Sequence, residues 1–281
     1  MKNIPPLNAA TLLKQHGLYA DKKLGQNFLQ DSSALENIAQ AAEILDSDSV
    51  LEIGPGLGSL TRHLAVRAKE VVAVELDDKL IPVLRSVLAP YPNVRLTHGD
   101  ILEFSPQQLG LPEHYIVAAN IPYNMTSAII RHLLESVPKP RRIVLTIQKE
   151  VAERICETPP DMSLLALSVQ VYGRPSIAAQ IPAGAFFPAP NVDSSVVKIE
   201  IYPEPLIPFP LLPVFFKLIK AGFSQRRKTL RNSLSAGLGI STKEAESLLN
   251  NSQIDFMRRA ETLNLAEWQR LSEARSSKAA V

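Results

Sequence analysis

The chain of 281 residues contains a single cysteine, Cys156, so no disulfide can close within it and a reducing compartment fits. Its five histidines, His16, His63, His98, His114 and His132, fall at none of the spacings that hold a metal ion, and no metal is expected. No apolar run approaches the ~20 residues needed to cross a bilayer. Residues 1–17, MKNIPPLNAATLLKQHG, lack the apolar core of a secretory signal and the arginines of a transit peptide. These absences lead to the expectation of a cytoplasmic protein without membrane attachment. Charge of one sign is also scarce: the net value is only +2, with 21% charged and 46% hydrophobic residues, a composition that excludes a disordered chain. Its distribution is uneven. Residues 1–202 hold 18 Lys/Arg against 21 Asp/Glu, whereas residues 203–281 hold 12 against 7. The basic excess at the C-terminal end points to an anionic partner there.

The length favours one large domain and a smaller one. A break is visible in IYPEPLIPFPLLP (201–213), where Pro203, Pro205, Pro208, Pro210 and Pro213 exclude a helix interior or a central strand. This segment reads as an extended, semi-rigid connector. Before it, SVLEIG (49–54), EVVAVEL (70–76), VRLTHG (94–99), YIVAAN (115–120) and RIVLTIQ (142–148) read as buried strands. Amphipathic stretches such as 57–68 and 126–137 lie between them, which implies a parallel sheet covered on both faces. PSIAAQI (175–181) and SSVVKIEIY (194–202) have no long helix between them and are expected to pair at the sheet edge. Beyond the connector, 211–225, 241–251 and 264–274 have helical period. The expected division is therefore 1–202, an α/β domain, and 203–281, a small all-α domain.

The first strand ends in LEIGPGLGSLT, with Gly54, Gly56 and Gly58 between strand and helix. Glycine there allows a tight turn and a close approach of ligand to backbone. Glu75 closes the next strand at the spacing of a carboxylate that accepts from ribose hydroxyls, and Asp100 follows the third strand, placed to accept from an adenine amine. The pattern describes an adenosine pocket and leaves two cofactors open, a nicotinamide dinucleotide and S-adenosylmethionine. The G-x-G-x-G spacing after Glu52 leans toward the second.

The fourth strand runs into NIPYN (120–124). As a turn it would be unremarkable, since Asn and Pro favour chain reversal. An adenine exocyclic amine, however, is a poor nucleophile and must be oriented toward an electrophile. The Asn120 oxygen and a carbonyl fixed by Pro122 can accept from its hydrogens, while Tyr123 can stack on the base. The motif suits amino-group methylation. FFPAPNVDSS (186–195) offers a second aromatic, Phe186, for the other face of the base.

In LGQNFL (24–29), LEIGPGLGSLT, NIPYN, QKEVAERI (148–155) and FFPAPNVDSS, which occur in that order, the chain resembles the ribosomal RNA adenine N6,N6-dimethyltransferases of the KsgA/RsmA type. The resemblance runs from residue 22 to residue 234. It implies a Rossmann-like S-adenosylmethionine-dependent methyltransferase domain with an N-terminal cofactor-closing segment (about 1–31) and a helical RNA-binding C-terminal domain. It also implies that Gln26, Asn27 and Leu29 close over the cofactor, and that Gly54 and Gly56 line it. Glu75 would hold its ribose and Asp100 its adenine. Asn120 would serve both cofactor and catalysis, with Tyr123 and Phe186 stacking on the base. The implied substrate is a pair of adjacent adenosines in a hairpin loop near the 3′ end of 16S rRNA, within an assembling 30S subunit, modified by a monomeric enzyme. Residues 156–172 depart from the family pattern, with Met162 and Leu164 where an aromatic and an Arg are usual, and no substrate contact is carried over to them.

Lys217, Lys220, Arg226, Arg227, Lys228 and Arg231 fall in 216–234 without an acid between them. With RNA as acceptor, Arg226, Arg227, Lys228 and Arg231 are expected to contact phosphates. Two other readings share much of this pattern. One is the erythromycin-resistance methylase, which modifies large-subunit rRNA; the other is a binding-only assembly or transcription factor.

Overall fold

β-branched and aliphatic runs make the strands of a computed structural model that describes residues 4–225 and 227–279. The strands are β1 (Phe28–Leu29), β2 (Ser49–Ile53), β3 (Glu70–Glu75), β4 (Val94–His98), β5 (Ile116–Asn120), β6 (Arg142–Gln148), β7 (Gly173–Ile181), β8 (Phe186–Phe187) and β9 (Ser194–Ile201). The helices are α1 (Ala9–Gln15), α2 (Ser32–Ala41), α3 (Ser59–Ala65), α4 (Ile81–Leu88), α5 (Thr126–Glu135), α6 (Lys149–Ile155), α7 (Leu164–Gln170), α8 (Leu212–Phe223), α9 (Leu230–Leu238), α10 (Thr242–Asn251) and α11 (Leu265–Ala279). The chain divides into two compact units, 1–152 with 175–201 and 153–174 with 202–281.

The first unit is built on a seven-stranded sheet of order β4-β3-β2-β5-β6-β9-β7. β2 to β6 run parallel, and β9 lies antiparallel to β6 with Arg142 opposite Glu200 and Gln148 opposite Ser194. Because helices cover both faces, the central strands are apolar over most of their length: Val71, Val72, Ala73 and Val74 are buried, as are Ile116 to Ala119. Each Val or Ile among them contributes roughly 1.5–3 kcal/mol when fully buried. Leu35 and Ile38 of α2 and Leu60 and Leu64 of α3 pack with Val50, Ile116 and Val144 of the sheet. Leu80, Val83, Leu84 and Leu88 form a second cluster with Leu13 and Phe28. Asp31 starts α2 by accepting the Ala34 N–H at 2.8 Å. The chain winds outward from β2 to β4 and returns to the other side of β2 as β5. The carboxyl ends of β2 and β5 thus flank the point where strand order reverses, the place where open α/β sheets bind ligands.

The second unit is helical in α7 to α11. Its core is Trp268, fully buried and stacked on Phe223 at 6.2 Å. Glycine permits this packing: a Cβ on Gly222 would stand 2.6 Å from the Trp268 ring, and one on Gly237 would meet Ala221 at 2.6 Å. The proline-rich segment is not extended throughout. Pro210 lies in a short 3-10 turn and Pro213 in the first turn of α8, where the missing N–H has no helical partner to lose. The Ser241–Glu244 capping box begins α10.

Candidate active site

The turn after β2 needs its glycines. Gly54, Gly56 and Gly58 have φ of 66°, 60° and 82°, and a Cβ on Gly56 would be 3.0 Å from the Phe28 ring. The Gly54 N–H donates to the Val74 carbonyl at 2.9 Å, tying the turn to β3. At the end of β3, Glu75 accepts the Gly56 N–H on Oε2 and the Asp77 N–H on Oε1, both at 2.9 Å. Glu75 is buried, and burial pushes its carboxyl up, opposed by these backbone donors. Asp100 accepts the Leu102 N–H at 2.9 Å and so caps a short helix while facing the same space.

A second set of side chains comes from the N-terminal segment. Gln26 donates to Asp77 Oδ2 at 2.7 Å and accepts the Asp21 N–H at 2.8 Å, which pins the segment to the end of β3. A Cβ on Gly25 would be 3.2 Å from Asn124 and 3.3 Å from Pro122, so the segment lies directly on the loop after β5. Asn120 Nδ2 donates to the Asn27 carbonyl at 3.1 Å. Tyr123, half-buried, has its hydroxyl 2.6 Å from Ser194 Oγ, and its carbonyl accepts from Thr126 at 3.0 Å. Burial raises the Tyr123 phenol, with the Ser194 contact acting against it.

These groups enclose one cavity of ≈ 300 Å³. Gln26, Asn27 and Leu29 line it from the N-terminal segment, Gly54 and Gly56 from the turn, Glu75 and Asp100 from the strand ends, and Asn120 and Tyr123 from the loop after β5. Phe186 is placed differently from the base-facing position expected of it. It pairs with Leu29 across the β1–β8 ribbon, is 3% exposed, and packs in the cluster with Leu29, Ile181 and Val196. Strand pairing turns its ring into the core, and it does not line the cavity. Glu52, which the sequence marks only as the acid before the glycine turn, is 1% exposed and lines the cavity. Its Oε2 has no hydrogen-bond partner among the described residues, a signal that only packing reveals.

The donor set fits an adenosine-bearing cation. The described lining residues include the acids Glu52, Glu75 and Asp100 against one base, Lys23. Among the described residues, no cluster of His, Cys, Asp or Glu could hold a metal ion. The sequence profile of the family described as "Ribosomal RNA adenine dimethylase" matches residues 17–271. The chain belongs to this family. It is an S-adenosylmethionine-dependent rRNA adenine dimethyltransferase. Its relatives include a "Ribosomal RNA small subunit methyltransferase A" of Dehalococcoides mccartyi (strain CBDB1), 49% identical over 94% of this chain and 91% of the relative. One of the same name from Bacillus pumilus is 39% identical over 95% of each. Among solved structures, a dimethyladenosine transferase from Plasmodium falciparum superposes with a TM-score of 0.78 at 25% identity, covering 90% of this chain and 98% of the other. The 23S rRNA methyltransferase ErmE gives 0.71 at 28% identity, covering 88% and 99%.

In the helical unit of the enzyme, Arg227 and Lys228 are exposed in the turn between α8 and α9. Arg226 lies outside the described residues. Arg231 is only partly exposed. Its guanidinium is 3.4 Å from Glu246 and sits over the Phe256 ring at 5.3 Å, so it also joins α9 to α10. No helix is long and apolar enough to cross a membrane among the described residues.

Proposed function

We propose that the enzyme dimethylates N6 of two adjacent adenosines in a hairpin loop near the 3′ end of 16S rRNA, acting in the cytoplasm as a monomer on an assembling 30S subunit. The names borne by relatives up to 49% identical over nearly the whole chain favour the small subunit over the large-subunit target named for ErmE. The observation that carries the chemistry is the convergence of Asn120 and Tyr123 with the glycine turn and Glu75 on one cavity.

S-adenosylmethionine, when bound, supplies a methyl group on a sulfonium centre. Glu75 and Asp100 each keep lone pairs toward the cavity beyond the N–H bonds they accept, for the ribose and the adenine respectively. One Asn120 N–H is held by the Asn27 carbonyl, which orients the amide, and its Oδ1 accepts from the N6 hydrogens of the target base. That contact orients the nitrogen lone pair, and no general base is needed before attack, since the amine becomes acidic only on alkylation. Tyr123 presents its ring to the base from a position fixed by Ser194. Phe186 acts from behind, holding Leu29 and the closing segment in place.

Methyl transfer from labelled donor to small and large subunits lacking these modifications, followed by digestion to nucleosides, tests this. N6,N6-dimethyladenosine from small subunits is expected. Label confined to large subunits would favour the erythromycin-resistance reading. Binding to small subunits without any transfer would favour a binding-only factor.

A further inference from the structure

The N-terminal segment presents an aromatic side chain that the donor cavity does not use. Tyr19 is 90% exposed, and no hydrogen bond or ring contact holds it among the described residues. Its backbone, by contrast, is fixed on both sides. At the end of α1 the Gly17 N–H donates to the Lys14 carbonyl at 3.2 Å and the Leu18 N–H to the Leu13 carbonyl at 2.9 Å. This closure sets the direction in which the chain leaves the helix. Leu18 and Ala20 then pack against the cluster of Leu80, Val83 and Leu84, and Tyr19 between them turns outward. Residues 21–26 close a tight turn. The Gln26 N–H donates to the Asp21 carbonyl at 3.2 Å and the Lys23 N–H to Asp21 Oδ1 at 2.7 Å. A bare ring on a fixed backbone adds nothing to the core, yet it is ready for a flat partner at little cost in backbone entropy.

The charge around it is mainly of one sign. Residues 14–23 carry Lys14, Lys22 and Lys23 against the single acid Asp21. All three lysines are exposed and form no ion pair among the described residues. Lys22 and Lys23 sit in the 21–26 turn, Lys23 lines the cavity, and Gly25 lies on the loop of Pro122 and Asn124. The turn is therefore part of the rim that a base crosses to reach Asn120. Three residues of chain span at most about 11 Å, so Tyr19 stays close to Lys22 and that rim.

We propose that Tyr19 is a stacking platform for an unpaired base beside the target adenosine, with Lys22 on an adjoining phosphate. The inference rests on RNA as the substrate and deepens that reading by naming a second base-binding position, outside the cavity. Drawing one loop base into a cavity leaves its neighbours unstacked, and a tyrosine ring gives one of them a new partner. Such a contact reads no sequence, since every base offers a face; it fixes the path of the strand between platform and cavity. Ring and lysines together suit a polyanion with flat bases better than an acidic protein surface, which would pair the lysines and leave the ring unused.

A double-mutant cycle tests this, with the full chain and, at low salt, a synthetic RNA hairpin carrying two adjacent adenosines in its loop. Tyr19→Ala should weaken binding roughly 5- to 150-fold, the scale of one base–aromatic stack, while Tyr19→Phe stays near the wild type. Replacing loop nucleotides one at a time by abasic residues should find a position at which the Tyr19→Ala loss disappears. The salt slope should hold for Tyr19→Ala and fall by roughly 0.7 in log–log terms for Lys22→Ala. Donor affinity and thermal unfolding should be unchanged in both, since both side chains are exposed and outside the cavity lining. The proposal is overturned if Tyr19→Ala binds the hairpin as the wild type does, or if no abasic position removes its effect. Weaker binding to whole small subunits with hairpin binding intact would overturn it too, and would assign the ring to a protein of the subunit. A wild type that prefers a large-subunit hairpin would reject the proposed target alone, and the same cycle on that hairpin would decide for Tyr19. A wild type that binds neither hairpin would overturn both.

Discussion

Asn120 lines the cavity and donates one amide N–H to the Asn27 carbonyl, which fixes the side chain while its Oδ1 remains an acceptor. Asn120→Ala should therefore lower single-turnover methylation by about 100-fold or more, the scale of a misoriented nucleophile, with a smaller loss of donor affinity. Glu75 acts on the donor instead. Glu75→Ala removes a charge-assisted acceptor worth about 1.5–3 kcal/mol, so calorimetry should show donor binding weakened roughly 10- to 150-fold while RNA affinity holds. Unchanged donor affinity would take Glu75 out of the site. Glu52 has a stability signature of its own. Between its unfolded value of 4.5 and about 8 the folded protein holds a proton that the unfolded chain releases. Stability due to this group therefore falls as pH rises through that window, by up to about 1.4 kcal/mol per unit. Thermal unfolding from about pH 6 to 8 should accordingly show a shallower decline for Glu52→Gln than for the wild type.

The two motifs LGQNFL and FFPAPN are far apart in the chain, yet they form one ribbon, with Phe28 opposite Phe187 and Leu29 opposite Phe186. Gln30 and Asp31 extend it by donating to the Ala185 carbonyl at 3.0 and 3.3 Å. This ribbon anchors the segment that brings Gln26 and Asn27 to the cavity. Truncating Phe186 to Ala should cost about 3–5 kcal/mol in denaturant unfolding, the range for a buried aromatic. It should also speed amide exchange at residues 28–31. If exchange there is unaltered while base stacking is lost, Phe186 faces the substrate after all. The strands of the sheet were legible to within a residue or two, because runs such as EVVAVEL hold an unbroken apolar core, Val71 to Val74, between polar ends. α9 was not, because its Arg231, Asn232 and Ser233 interrupt the apolar pattern; only packing against α8 and α10 makes it a helix.

At the scale of the whole molecule, substrate RNA must be held as well as chemically engaged. Arg227 and Lys228 are exposed and form no ion pair among the described residues. Neutralising both should weaken RNA binding and flatten its salt dependence by roughly 0.7–0.9 in log–log slope per lost contact, with donor affinity unchanged. Arg231→Ala should behave differently. Its contacts to Glu246 and Phe256 make it a brace between α9 and α10, so its loss should lower stability along with RNA affinity. An unchanged salt slope after removal of Arg227 and Lys228 would make this turn a solvated surface only.

The sequence by itself determined the parallel sheet, the glycine turn, the acids at the ends of β3 and β4, and the Asn–Pro–Tyr loop after β5. Each is local, because periodicity and turn chemistry are written into consecutive residues. Tertiary structure decided the rest. It paired Leu29 with Phe186 and so buried a ring that looked free to stack on a base. It grouped residues 153–174 with the helical unit, although they precede the last strands of the sheet in the chain. It also left Glu52 Oε2 without a hydrogen-bond partner among the described residues. Which face a side chain meets, and whether a carboxylate finds a donor, depends on segments distant in sequence, and no local pattern encodes that.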